Sequence, residues 1–249
     1  MPILTIVTGL LEGDENIHAT VNSVLPQLGE NTSWIIKQSS QSLSESILRY
    51  NGLAGIHLIG QKDSSLYEGL NHALRRVDGE FFMVLGAGDT LEPGALDFIC
   101  HQISTNPSLD AFYFAIRLNK DGRIFGPNPS EIQNRTACPH PGAVLSTQKA
   151  LRIGGFDESY QIASDYDLLC RYIKTYGRSG WSNQPVVNFK GGGLSEHRAI
   201  EGFLEEELIR IRVWNSPMPD VCSRGARFLA WAHSQLEKIG LGSRSSPAL

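Results

Sequence analysis

Three places in this sequence put a carboxylate or an imidazole where chemistry could use it. Asp89 follows Gly86-Ala87-Gly88 at the end of an apolar run, Phe81 to Leu85. The small residues before it would let a bulky ligand reach the backbone. Its carboxylate could hold a divalent cation against a diphosphate, because Mg2+ and Mn2+ favour carboxylate oxygen completed by substrate phosphates. It could equally cap a helix beginning near Pro93. Asp165 and Asp167 flank Tyr166 at the start of an amphipathic stretch. Acids there are common caps, whereas a carboxylate beside an attacking hydroxyl is a general base. His140 lies between Pro139 and Pro141, which stiffen the loop and fix the imidazole, although a lone loop histidine often has no special role.

These residues need elements to position them, and the first half of the chain supplies an alternation. Ile3 to Val7, Trp34 to Ile36, Gly55 to Ile59 and Phe81 to Leu85 are short apolar runs that read as buried parallel strands. Between them fall helical patterns. Ile17, Val21, Val24, Leu25 and Leu28 share one face, with Asp14 or Asn16 as cap; Ser44 to Tyr50 is a short helix; Leu66, Leu70, Ala73, Leu74 and Val77 repeat at helical spacing. Strand–helix alternation implies a parallel sheet with right-handed crossovers. Ligands then bind outside the carboxyl ends of the strands, where Asp89 falls.

The second half is less regular. Asp110 to Leu118 is a further strand, and Ile124-Phe125 pairs back on it after a turn. Residues 126–142 hold four prolines and read as a loop. Lys149 to Arg152 closes a short helix, Asp165 to Tyr176 is a longer one, Val186 to Phe189 a late strand, and residues 200–214 an acidic amphipathic helix. From Val221 the chain changes character: Arg224, Arg227, Lys238 and Arg244 stand against Glu237 alone, interleaved with Phe228, Leu229 and Trp231. That is either a helix packed on the domain or a peripheral contact with an anionic bilayer. The expected organisation is a domain over 1–215 and a helical tail over 216–249.

Composition removes several classes. At 249 residues, 41% hydrophobic and 19% charged, the chain can bury a real core. Its net charge of −4 argues against a general nucleic-acid binder. No apolar run is long enough for a membrane-spanning helix. The N-terminal residues lack a basic segment before the apolar stretch, so they read as a first strand and not a signal peptide. The four cysteines, Cys100, Cys138, Cys170 and Cys222, form no CxxC pair, which fits reduced thiols in the cytosol better than a zinc or redox motif. P-loop, dinucleotide-fingerprint and hydrolase-elbow motifs are missing.

Five stretches in order resemble the family 2 glycosyltransferases of the GT-A fold, especially bacterial enzymes of exopolysaccharide and O-antigen assembly. They are Leu4 to Thr8 with Ser23 to Gln27; Asp63-Ser64-Ser65-Leu66-Tyr67-Glu68-Gly69-Leu70-Asn71; Gly79-Glu80 through Asp89; His140-Pro141-Gly142 through Gly154-Gly155-Phe156-Asp157; and Ser164-Asp165-Tyr166-Asp167 through Arg171. The match runs over about residues 1–195. The resemblance implies a Rossmann-like, mostly parallel central sheet flanked by helices, with a C-terminal helical extension. It implies Asp89 as ligand to Mg2+ or Mn2+ at a donor diphosphate, and Asp165 as the base in an inverting transfer. Thr8, Gln38, Asp63, Tyr67, Asn71, Ala87 and Gly88 would line the nucleotide-sugar donor, while His140 and Asp167 would border the acceptor or diphosphate. The acceptor would be a lipid-linked glycan, met by a cytoplasmic enzyme at the inner membrane face, with the tail as a peripheral contact and no nucleic acid involved.

The sequence also departs from the family pattern. Lys37-Gln38-Ser39-Ser40 stands where the family has an aspartate that contacts the base. Gly88 replaces one carboxylate of the metal motif, and Ser65 replaces a glycine. These departures keep a second reading open, a non-catalytic relative that binds a nucleotide-sugar or a partner. A nucleotidyltransferase ranks lower, because Thr8 to Gly13 carries no basic residue.

Overall fold

Runs of β-branched and aromatic residues build one mixed sheet, seen in a computed structural model that describes residues 2–10, 17–134 and 137–215. The first half gives β1 (Leu4–Leu10), α1 (Ile17–Val24), β2 (Thr32–Gln38), α2 (Glu45–Leu48), β3 (Ile56–Gly60), α3 (Leu66–Leu74) and β4 (Phe81–Val84). Its strands pair in parallel in the order β3-β2-β1-β4. The second half gives β5 (Thr90–Leu91), α4 (Ala95–Thr105), β6 (Ala111–Leu118), β7 (Ile124–Phe125), β8 (Ala143–Ser146), α5 (Thr147–Arg152), α6 (Ser164–Tyr176), β9 (Ser179–Phe189), α7 (Leu194–His197) and α8 (Ala199–Trp214). It extends the sheet as β4-β8-β6-β9-β5, with β7 on β6.

The central strands are buried on both faces, so each side chain chooses a face by parity. Val7, Ile35, Phe82, Val84 and Leu145 pack against α3, α5, α6 and α8. Leu4, Ile6, Trp34, Ile36, Phe81 and Met83 pack against α1, α2 and α4. Each such side chain contributes about 1.5–3 kcal/mol relative to exposure, which is what fixes the register.

Two strands were not anticipated. Ala143–Ser146 runs antiparallel to both β4 and β6 and joins the two halves of the sheet. At four residues, after a proline-rich loop, it has too little pattern to announce itself. Thr90–Leu91 pairs antiparallel with Asn188 and Val187, directly after Asp89. The late strand is also longer than Val186 to Phe189, because Ser179 to Gln184 alternates polar and exposed residues along β6 and bulges at Phe114/Ala115. The proposed caps Asp14 and Asn16, Cys222 and the tail over 216–249 lie outside the described residues.

Candidate active site

β4 delivers Asp89. The chain leaves the strand through Gly86-Ala87-Gly88, and Gly88 adopts φ +95°, a conformation side chains rarely take. Its N–H donates to Thr20 Oγ1 at 2.8 Å, and the Thr20 hydroxyl donates to the Asp89 carbonyl at 2.8 Å. The turn is thereby tied to α1. Asp89 Oδ1 accepts the Lys190 N–H at 2.8 Å, from the residue after β9. A Cβ at Gly86 would fall 2.8 Å from Asp89 Oδ2, so only glycine leaves that oxygen its place. Burial pushes the Asp89 carboxyl up to about 6, against the lowering effect of the Lys190 and Gly86 amides. α4 starts from Gly94 without a side-chain cap, so the capping reading of Asp89 fails.

α6 delivers Asp165 in its first turn. Leu168, Leu169 and Tyr172 bury one face of this helix, and Gly177 ends it in the left-handed conformation. The helix cap is Ala163, without a side-chain bond; Asp165 Oδ1 instead accepts the Tyr166 N–H at 2.8 Å. Its other oxygen lies 3.8 Å from His140 Nδ1 and the side chain is 33% exposed, so it can meet a substrate. His140 meets the Phe156 ring edge-on at 6.1 Å, and Phe156 stacks on Tyr67 at 5.8 Å. Burial lowers the His140 pKa, while the Asp165 charge opposes that shift. The imidazole beside Asp165 is therefore neutral at neutral pH. Tyr67 is held firmly protonated, first by burial and then by the charge of Asp165, and its hydroxyl donates to the Ile162 carbonyl.

The His140–Gly142 turn touches elements from both halves of the candidate site. It packs on β4, β6, β9 and α6, the strand that leads to Asp89 and the helix that carries Asp165 among them. Asp89 lies just beyond the carboxyl end of β4, the end that ligands use in open α/β folds, and Asp165 opens a helix that packs on the same turn as β4.

The remaining predicted residues divide. Ala87 and Gly88 line the turn before Asp89. Asp63 is 1% exposed, ion-paired with Lys37 Nζ and bonded to His72 Nδ1 at 2.7 Å. Lys37, also 1% exposed, donates as well to the Gln61 carbonyl at 2.6 Å. Gln38 uses Oε1 to accept the Ser44 N–H at 2.8 Å. Three others likewise have their polar atoms taken up inside the fold. Thr8 lies within β1, fully buried, with Oγ1 accepting the Trp34 indole N–H at 3.0 Å. Asn71 donates to the Phe156 carbonyl at 2.8 Å and accepts the Phe156 N–H at 2.9 Å, which clasps α3 to the chain before α6. Asp167 is fully buried between Arg171 Nε at 2.7 Å and Arg212 at 3.0 Å. Sequence reading missed Glu205. Its carboxylate accepts the N–H groups of Gln161, Ile162 and Ala163, each at 2.8 Å. Within an acidic amphipathic helix nothing distinguished it from its neighbours.

For a metal, Asp89 is the fitting residue: a carboxylate whose charged form burial disfavours and a cation would favour. Among the described residues no group of three His, Cys, Asp or Glu side chains converges, so Asp89 would supply one ligand and substrate phosphates would supply others.

A mixed, mostly parallel sheet with helices on both faces gives the chain a GT-A fold. S. aureus TarS, in complex with UDP-GlcNAc, is similar to it at a TM-score of 0.68 and 13% identity, covering 95% of this chain and 73% of that one. The chain spans 44% of a longer TarS structure, at a TM-score of 0.67 and 12% identity. A mannosyltransferase from Pyrobaculum calidifontis, in complex with GDP-Man and Mn2+, matches at 0.69 and 15% identity, covering 93% of this chain and 70% of that one. Glucosyl-3-phosphoglycerate synthase from Mycobacterium tuberculosis, with Mn2+, UDP and phosphoglyceric acid, matches at 0.59 and 14% identity, covering 88% and 80%. No protein-family model matches the sequence, and no curated protein matches it. Among the described residues no helix is long and apolar enough to cross a membrane.

Proposed function

We propose that the protein is an inverting glycosyltransferase that uses a nucleotide-sugar donor. One observation carries the reading: the His140–Gly142 turn packs both on β4, which leads to Asp89, and on α6, which presents Asp165. Asp165 takes the proton of an acceptor hydroxyl as that oxygen bonds to the anomeric carbon. The bond from that carbon to the phosphate oxygen breaks on the opposite face, and the nucleoside diphosphate departs with its electron pair. Asp89 would hold Mg2+ or Mn2+, which when bound offsets charge on the diphosphate. His140 and Phe156 wall the side of Asp165 and restrict water there. The acceptor class we propose is a glycan hydroxyl, lipid-linked, reached at the cytoplasmic face of a membrane. The domain that does this is the segment 1–215.

A second reading, a non-catalytic binder, draws on the residues expected to meet the nucleotide. There Gln38 Oε1 is committed to Ser44 and the Asp63 carboxylate to Lys37 and His72. A panel of UDP-, GDP- and dTDP-sugars with Mn2+ separates the two. Release of nucleoside diphosphate that disappears in Asp165→Asn supports transfer; tight donor binding with no release from any sugar sinks it.

A further inference from the structure

The base needs a fixed position, and the segment just before it, Gln161-Ile162-Ala163, has no helix or strand of its own to hold it. It is gripped from two sides. From α8, Glu205 Oε1 accepts the Gln161 N–H and Oε2 accepts those of Ile162 and Ala163, all at 2.8 Å. From α3, the buried Tyr67 hydroxyl donates to the Ile162 carbonyl. A Cβ at Gly202 would lie 3.0 Å from Ile162 Cγ2, so α8 passes this segment at glycine distance. Two residues after Ala163 stands Asp165.

Resting on the transferase reading, we propose that Glu205 is a positioning residue for transfer: through three backbone N–H groups it sets where Asp165 points. A carboxylate is the group suited to this, since it offers two oxygens and no donor to converging amides. Its grip precedes the base. Further contacts of α8 follow it: Arg210 donates to Tyr166 Oη at 3.4 Å, and Arg212 reaches Asp167. Helix α8 thus braces the first turn of α6 on both sides of Asp165. A misplacement near 1 Å is costly because proton transfer depends on reach: such an error lowers turnover about a hundredfold.

The test is Glu205→Gln in the full chain, which turns one carboxylate oxygen into an amide NH2 that faces backbone donors, with Glu201→Gln on the exposed side of α8 as control. Turnover on a released-diphosphate assay is expected to fall about ten- to a hundredfold, with donor KM within about twofold. The second readout is the His140 imidazole titration by NMR. Burial lowers the His140 midpoint and the Asp165 charge raises it, so a carboxylate that swings away moves the midpoint further down and one that closes in moves it up, whereas loosening elsewhere does neither. Unchanged turnover, or a loss matched by the unfolded fraction with the His140 midpoint unmoved, overturns the proposal. If the wild type releases no diphosphate from any donor, the transferase reading fails by itself. The His140 midpoint then decides whether Glu205 sets Asp165: a shifted midpoint sustains the positioning, and an unmoved one ends it. Should Glu205→Gln not fold, Tyr67→Phe loosens the same segment from α3 and is held to the same two readouts.

Discussion

His140 Nδ1 lies 3.8 Å from Asp165 Oδ2, with the imidazole set edge-on to Phe156. That separation is too long for a hydrogen bond, so the carboxylate keeps an oxygen for an incoming hydroxyl. Burial lowers the His140 pKa, and a neutral imidazole does not pair with the base and quench it.

Asp165→Asn should therefore remove the proton acceptor without disturbing the site. The amide oxygen can still accept the Tyr166 N–H, so folding survives. Turnover should fall about 10²–10⁴-fold while donor affinity holds. In the same variant the His140 midpoint should move further down, because the charge that opposed burial is gone. Enzyme assay, donor titration and imidazole NMR check the three parts; unaltered turnover sinks the base assignment.

Asp89→Asn preserves the acceptor for the Lys190 N–H and removes the charge. In the wild type, nucleoside diphosphate plus Mn2+ should raise the melting temperature more than either alone, since ligands that bind only the folded state stabilise it by mass action. In Asp89→Asn the Mn2+-dependent part of that rise should vanish. An equal shift in both proteins would remove Asp89 from the cation.

How far these assignments were legible depended on whether the signal was local. β1 to β4 announced themselves because each is a short β-branched or aromatic run bounded by turn residues. The tight turn that carries Asp89 was legible because three small residues precede it. β8 was not, since its four residues take their identity from β4 and β6 on either side, a long-range pairing no local pattern encodes. Thr8 misled for a related reason: β1 continues three residues past Val7, so its hydroxyl falls under Trp34 and not in the loop. Asp167 and Asp165 look alike in sequence, and it is Arg171 one turn on and Arg212 from α8 that enclose the first while the second stays half-exposed. Glu205 acts on a segment 42–44 positions earlier in the chain and left no trace to read.

Asp167 should behave as a structural residue. It is fully buried and pairs with Arg171 and Arg212, while Arg171 also ties down the Ile153 and Gly155 carbonyls. Asp167→Ala leaves the Arg171 guanidinium without its carboxylate, a loss of about 3 kcal/mol once the exposure of Arg212 is discounted. A chain of this size should then melt about 6–12 °C lower. Thermal unfolding measures it, and a shift under about 2 °C would mean that the pair contributes little.

Lys37 and Asp63 provide the sharpest division between holding the fold and holding the donor. Both side chains are 1% exposed, and Asp63 also bonds His72. Lys37→Met alone strips the buried carboxylate of its main partner and should cost about 3–5 kcal/mol. Replacing both, as Lys37→Met with Asp63→Leu, should recover much of that loss, because a buried ion pair exchanged for apolar groups of similar volume is near neutral. The comparison of single and double variants by denaturant unfolding isolates the pair. If Asp63 also serves the nucleotide, as the sequence resemblance implies, the double variant will refold to near wild-type stability yet bind donor weakly. If donor affinity stays with the recovered stability, Asp63 belongs to the scaffold under β2 and β3 alone, and the nucleotide must be recognised by other residues of the cleft.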